Sequence, residues 1–437
     1  MNAHSIKKTL TLFFVGLPLL GFIVGEVFRL PFLQERGVLI FDLLLAVSVV
    51  GLLGVLFVTK AKPFLNRSIV LLLIFFAVIA LSLLIHIPLY DTSSILKGAL
   101  YALRTIGVLS IITMLPSLIH SKKDVTIIMH LLTAAAVILS LIGFLQLVIF
   151  PNFTEMAQLG WDPHEGRLLS SWFDPNYVGG FFALITTLLV NDMFTKGHSK
   201  RYLLWTYVSI SILLIANLLT YSRSALLALV AGVTVVLFVR SKKLLIAAIV
   251  LGCLTVAFTP RLWERTTDMI DGLVTLSKPY LEQNLDPTSQ LRILDWERSV
   301  ALWQKEPFLG VGYNLLSNAK LEANYLHDQE SHTASGSDSS LLTILITTGV
   351  IGLATFLCFL LSLLITSIQA IQLKVPEAVG YLGFLIALIT HSFFVNSMLY
   401  PYITYTFAVV TGYVFLASMS LREGRIPEDD VAIQKHS

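Results

Sequence analysis

Charge is what this sequence has least of. Only 13% of its 437 residues are Asp, Glu, Lys or Arg, against roughly 25% in an ordinary soluble domain. So few ionic groups cannot cover the surface of a water-soluble protein, and 56% of the residues are hydrophobic. Cysteine is scarce too. Cys253 and Cys358 both fall inside apolar runs, which argues against a disulfide framework or a cysteine-based metal site. No internal repeat is visible, and no low-complexity stretch precedes the polar tail 422–437. The first apolar run, Leu10 to Val27, follows Lys7 and Lys8, and no small-x-small cleavage site comes before Glu26 and Arg29. It is long for the core of a signal peptide and reads as a retained anchor.

What is present is a series of apolar runs of about twenty residues, the length that crosses a bilayer core. They lie at 9–28, 38–58, 67–85, 98–119, 125–150, 177–194, 202–219, 222–239, 243–259, 339–369, 377–396 and 401–420. Charge placement tests this count of twelve. The even-numbered gaps and the two termini hold 17 of the 30 basic residues, the short gaps on the opposite side and the spans hold 6, and 7 lie in 260–338. The positive-inside rule then puts both termini in the cytoplasm. The expected fold is an all-α integral membrane protein of about twelve transmembrane helices, multi-pass in a bacterial inner membrane. Residues 1–259 carry helices 1–9, 260–338 form a large extracytoplasmic loop, 339–420 carry helices 10–12, and 421–437 are a cytoplasmic polar tail.

Within the long loop, Ile293, Trp296, Val300 and Trp303 fall at helical spacing, with Arg292, Asp295, Glu297 and Arg298 turned elsewhere. This predicts an amphipathic helix lying on the membrane or on the bundle, ended by Pro307, Gly310 and Gly312. The other sizeable outer loop, 151–176, is rich in Pro, Asp and Trp, and its Trp161 and Trp172 suit an interfacial belt as well as a sugar platform.

The spans contain few charges, chiefly Asp42, Arg104, Asp192 and Arg223. An arginine at helix centre costs roughly 2.5–3.5 kcal/mol on the insertion scale, so each needs a reason. Arg223 begins the eighth span at its outer end. It fits snorkelling to the headgroups, and equally a fixed cation facing a phosphate that arrives from the outer leaflet. Arg104 lies deeper, where a structural hydrogen-bonding role and a functional one are both open. The segment Ser331 to Ser340 sets His332 and Asp338 at the outer surface, and either can act as a general base for a hydroxyl nucleophile. Asp338 also suits a helix N-cap, and His332 a solvated loop position. Asp174-Pro175-Asn176 reads as a turn and cap opening the sixth span.

Taken together, these segments resemble the O-antigen ligase and polymerase superfamily of bacterial membrane glycosyltransferases. Arg223 to Leu227 match an arginine-x-x-x-leucine signature, and Asp174-Pro175-Asn176 resembles the family's proline–asparagine turn. Arg292 to Gly312, reading R-x-x-x-W and ending P-F-L-G-V-G-Y, resembles its outer loop. Ser339, nine residues, Gly349 and Gly352 fit the pattern that follows a histidine in ligases, but here Asp338 stands in the histidine's place. The likeness covers residues about 130–420.

The resemblance implies a metal-independent, inverting transfer with no cofactor. A glycan would pass from an undecaprenyl-pyrophosphate carrier to an acceptor hydroxyl, on a glycan or a lipid, at the outer face. The partners would be this lipid-linked oligosaccharide donor, the acceptor and membrane lipids, with no nucleic acid. Arg223 and Arg292 would stabilise the leaving pyrophosphate, Asp338 would be the base, and His332 the reserve base. Arg104, Asn176 and Trp296 would bind substrate. An unperturbed Asp, with pKa about 3.9, is a weaker base than histidine unless desolvation raises it. The missing histidine leans the reading away from ligation to the lipid A core and toward a polymerase or a ligase for another acceptor, with the polymerase slightly ahead. The competing class is a twelve-helix transporter or flippase of lipid-linked glycans. Transporters usually show paired halves, whereas the long loop here divides nine spans from three.

Overall fold

Every apolar run marked above carries a helix in a computed structural model of the chain, which describes residues 3–32, 35–119, 122–159, 161–275, 287–325 and 336–422. In chain order these helices are α1 (Ala3–Gly16), α2 (Pro18–Val24), α3 (Ile40–Thr59), α4 (Arg67–Ile85), α5 (Thr92–Leu118), α6 (Lys122–Ile149), α7 (Pro175–Asp192), α8 (Lys200–Leu219), α9 (Arg223–Arg240) and α10 (Lys242–Phe258). The long connection contributes α11 (Pro260–Thr275), α12 (Pro287–Lys305) and α13 (Leu316–Glu322), and the chain closes with α14 (Ser340–Gln372), α15 (Ala378–Ser392) and α16 (Pro401–Arg422). Among the described residues, nine helices are long and apolar enough to cross a membrane, or ten if the bent pair α10–α11 counts as one. This is a multi-pass membrane architecture. α15, at fifteen residues, falls below that length, so helix length and apolarity alone do not carry the count of twelve.

Local chemistry sets most helix starts. Asn66, Asp91, Ser199, Ser222 and Ser241 each accept a hydrogen bond from a backbone N–H in the first turn that follows, which satisfies donors that a helix N-terminus would otherwise leave bare. Asp91 starts α5 six residues before the expected span at 98. Two further features depart from the expectation. The first span is broken at Leu17–Pro18 into α1 and α2, because a proline inside it can give no N–H to the helix. A short antiparallel hairpin, β1 (Arg29–Phe32) with β2 (Glu35–Leu39), then precedes α3.

α9 packs between α7 and α15, and α16 packs along α5. α16 is sheathed by the bundle, with 89% of its apolar window buried. α10, by contrast, has no buried residue, so its apolar faces are left for lipid. At Thr259 the chain turns by 102° into α11, which runs across the end of the bundle. That end, where α11, α12 and α13 gather, is called the loop end below.

α14 is broken where the family-like glycine pattern falls. Gly349 has φ 65° and ψ −171°, in the left-handed half of the map that a side chain disfavours. A Cβ there would also sit 2.1 Å from the carbonyl carbon of Phe308. The gap in the helix is filled by the segment after α12. Val350 N–H donates to Pro307 O (2.9 Å), Ile351 N–H to Phe308 O (3.3 Å), and Val311 N–H to Ile346 O (2.8 Å). Leu302, Val311, Leu316, Ala319 and Ile346 form a small core beneath this junction. The amphipathic helix is therefore present as α12, but its buried line runs through Ser299 and Leu302, with Val300 exposed. The reason is that α12 is covered by α13 and the start of α14 rather than by a flat membrane surface.

Candidate functional site

The Arg223 neighbourhood is built by the starts of two helices, α9 and α7. Ser222 caps α9, its hydroxyl donating to Asn176 Oδ1 (2.8 Å) and meeting Ser224 Oγ (3.1 Å). Arg223 is thus held at the first position of α9, beside the turn that opens α7. Asp174 caps that turn, accepting from the N–H groups of Asn176 (2.7 Å) and Tyr177 (3.3 Å), as the sequence predicted.

Arg223 faces a groove of ≈ 240 Å³ between α9, α10 and α11. Its walls are apolar, with Leu226 and Val230 from α9, Val256 from α10 and Leu262 from α11, and Arg265 supplies a second guanidinium. Sequence reasoning passed over Arg265. The only signal was its place four residues beyond Arg261 on a helix whose apolar residues cluster on one face, so that the two project together.

Four arginines gather at this mouth. The Arg261 guanidinium donates to Gly166 O (2.9 Å) and Glu165 O (2.8 Å) and lies 4.2 Å above the Tyr221 ring, which ties α11 to the 151–174 connection. Arg167 Nε donates to Thr220 O (2.8 Å). Burial, with the charges of Arg265, Arg261 and Arg223 adding to it against the attraction of Asp174, brings Arg167 down to about 10. Burial and then Arg167 and Arg265 push His164 down to about 3, so it is neutral at physiological pH. Asp174 is driven up to about 6 by burial, against its two backbone hydrogen bonds, with Asp162 raising it further and Arg167 opposing. Such a concentration of cations against so few carboxylates is a standing invitation to a polyanion.

Asp338 sits on the other flank. Of its two sequence readings, the cap fails: Ser339 caps α14, its Oγ accepting from Leu342 N–H (3.4 Å). The Asp338 carboxylate instead meets Arg292 Nε at 3.3 Å, and its side chain is 52% exposed, open to a substrate hydroxyl. Asp295, one helical turn after Arg292, grips the same segment from below. It accepts from Ser337 Oγ (2.7 Å), Asp338 N–H (3.4 Å) and Lys320 Nζ (2.9 Å). Lys320, its side chain only 4% exposed, also donates to Gly336 O (2.8 Å). Asp295 and Lys320 hold the strand that presents Asp338, and neither was singled out from the sequence because their pairing exists only after α12, α13 and α14 meet. Asp338 and Asp162 lie within electrostatic reach of each other, and Asp162 likewise of Asp174, which links this flank to the arginine mouth.

The remaining sequence candidates are placed as follows. Arg104 pairs with Asp42 at 3.6 Å and stacks on Tyr101 at 4.2 Å, apart from the Arg223 groove lining. Trp296 lies on α12, its buried indole N–H without an acceptor among the described residues. His332 falls outside the described residues. Trp172 is no sugar platform. It is fully buried and donates from Nε1 to Phe22 O (2.9 Å), because the turn at 170–172 folds inward onto α2. Trp161 remains partly exposed, with the Arg29 guanidinium 5.3 Å from its ring. Among the described residues, no group of three or more His, Cys, Asp or Glu is arranged to hold a metal ion.

Against known proteins, the family described as O-antigen ligase matches residues 208–357, from the middle of α8 to the middle of α14, which takes in Arg223, Arg265, Arg292 and Asp338 and leaves Arg167 and the Asp174 turn outside. The match spans about a third of the chain and supports the O-antigen ligase and polymerase superfamily that the motifs resembled. No curated protein matches the chain.

Proposed function

We propose, taking the O-antigen ligase match as the premise, that this chain moves a glycan from a polyprenyl-pyrophosphate carrier to an acceptor hydroxyl at the loop end. The loop end would face outward from a bacterial inner membrane, with both termini in the cytoplasm, as the distribution of basic residues favours. The observation that carries the reading is the groove beside Arg223: its walls are apolar, as an isoprenoid tail requires, and Arg223 and Arg265 are among the residues that line it. An arginine binds such a group through paired N–H donors and stays charged throughout.

The chemistry balances as one displacement. The acceptor oxygen bonds to the anomeric carbon, the bond from that carbon to the pyrophosphate oxygen breaks, and the acceptor proton passes to the Asp338 carboxylate. Attack opposite the leaving group inverts the anomeric centre. Negative charge grows on the departing pyrophosphate, and Arg223 and Arg265 would stabilise it, which is worth far more in a water-poor groove than in bulk water. Arg292 orients Asp338. Asn176, through Ser222, fixes the start of α9, whereas the Trp296 indole N–H is buried on α12 and is not offered to the sugar. Arg104 belongs to the acceptor flank taken up below. Between the two branches we favour a polymerase, because Asp338 replaces the histidine of the ligases.

The test is to delete the gene in its host and resolve surface and carrier-linked glycan by gel, with complements of the wild type, Asp338→Asn and Arg223→Ala. Surface glycan reduced to single repeats marks a polymerase. Long chains stranded on the carrier mark a ligase. Unchanged glycan in both pools would overturn the transferase reading, and full rescue by both substituted forms would overturn the site.

A further inference from the structure

A second charged cluster, which the donor groove does not use, gathers where the end of α2 meets the 170–172 turn. It begins at Gly25, whose φ of 58° lets α2 end directly against the 170–172 turn; a Cβ there would sit 2.3 Å from Ser171 O. Glu26 N–H donates to Ser171 O (2.8 Å), and the Glu26 side chain, 5% exposed, pairs with Arg29. Tyr400 Oη reaches Glu26 Oε1 at 3.5 Å. Arg104 and Asp42, themselves paired and partly exposed, lie within electrostatic reach of Glu26. Tyr402 is fully buried and its hydroxyl has no partner among the described residues, yet it lies within reach of all four charges. Ser171 Oγ is a second buried hydroxyl with no partner among them.

Among the described residues, two arginines here are matched by two carboxylates. That balance separates this cluster from the arginine mouth, where cations predominate and a pyrophosphate fits. A net-neutral set of strong donors and strong acceptors suits a ligand that is itself both. Sugar hydroxyls donate to carboxylates, accept from guanidinium groups, and leave a C–H face to lie on an aromatic ring. Such faces are at hand in Trp161, beside Arg29, and in Tyr177, stacked on Tyr400 at 3.8 Å. Tyr177 lies within electrostatic reach of both Glu26 and Asp338, which puts this cluster and Asp338 in one neighbourhood. Keeping four charges and an unpaired phenol at this depth has a cost that apolar packing would have avoided.

We infer that the cluster of Glu26, Arg29, Asp42 and Arg104, with the Trp161 face and the Tyr402 hydroxyl, binds the acceptor saccharide, apart from the residues that line the donor groove. The inference rests on the transferase reading above for the word acceptor; the binding itself does not.

The test uses full-length protein in lipid nanodiscs and, as probe, the glycan released by mild acid from the carrier pool of the deletion host. Binding is read by calorimetry, without turnover. Trp161→Ala and Glu26→Gln should each weaken it at least tenfold, and Arg223→Ala should leave it within about twofold. Trp161, being partly exposed, tests the site even if Glu26→Gln folds poorly. Equal affinity in all three variants, a loss confined to Arg223→Ala, or no binding to the wild type would overturn the proposal. Turnover of the intact carrier-linked glycan, measured separately, tests the transferase reading, so the two can fail independently.

Discussion

Replacing Asp295 by Asn should loosen the segment that presents Asp338 more than replacing Lys320 by Met. Lys320 is 4% exposed and its ammonium donates to Asp295 Oδ1 at 2.9 Å and Gly336 O at 2.8 Å. Asp295→Asn takes the carboxylate of this pair away from the buried cation, a change of about 3–5 kcal/mol for a broken buried pair. Lys320→Met leaves a carboxylate that is 24% exposed and still accepts from Ser337 Oγ and Asp338 N–H. Water reaches it, so the expected cost is about 1–3 kcal/mol. The gap of about 2 kcal/mol is roughly 30-fold in the local opening equilibrium. Hydrogen exchange at the Ser337 and Asp338 amides in nanodiscs reads that equilibrium directly. The double variant Asp295→Leu with Lys320→Met, which removes both charges, should open less than Asp295→Asn alone. If Lys320→Met opens the segment as much as Asp295→Asn, or if the double variant opens most, the pair is not holding Asp338 by its charges.

Three further outcomes follow from the same geometry. Arg265→Lys should raise KM for the carrier-linked donor about tenfold, because a lysine cannot supply paired N–H donors; an unchanged KM in a steady-state assay would remove Arg265 from the groove's function. Asp174 is held up near 6 against an ordinary 3.8, so its contribution favours the folded state below the ordinary value and is lost as pH rises through about 6; Asp174→Asn should flatten the thermal midpoint over that window, and an unaltered pH profile would refute it. Gly349→Ala meets both a positive φ and the Phe308 carbonyl and should cost about 2–5 kcal/mol, read as lost monodisperse yield and a lower melting temperature.

Legibility from sequence followed the range of the forces involved. The Asp174-Pro175-Asn176 turn was readable because a cap is made by three neighbouring residues. Asp91 is as good a cap, but the polar stretch Thr92-Ser93-Ser94 and Lys97 hid the first turns of α5 from an apolar-run criterion. Gly349 was visible as a pattern, while its cause, the carbonyl of Phe308, lies forty residues earlier in the chain. Arg265 was hidden because α11 is too polar to register as a span, and its groove exists only once α9 and α10 stand beside it. Lys320 and Asp295 are ordinary surface residues in sequence and become a buried pair only through tertiary structure. Trp172 shows the opposite error, since an aromatic at a membrane-edge position was consumed by the core.

The break at Gly349 also dictates an order of assembly. The backbone groups of Ile346, Val350 and Ile351 find partners in Val311, Pro307 and Phe308, and bare peptide groups in hydrocarbon cost several kcal/mol each. α14 therefore cannot settle as a finished span on its own. Residues 307–311 must be in position before the helix that follows them in synthesis can close. A chain whose long connection is misplaced would leave α14 with an open seam in the lipid. Placement of the connection is thus checked by the completion of a helix, before any substrate is met.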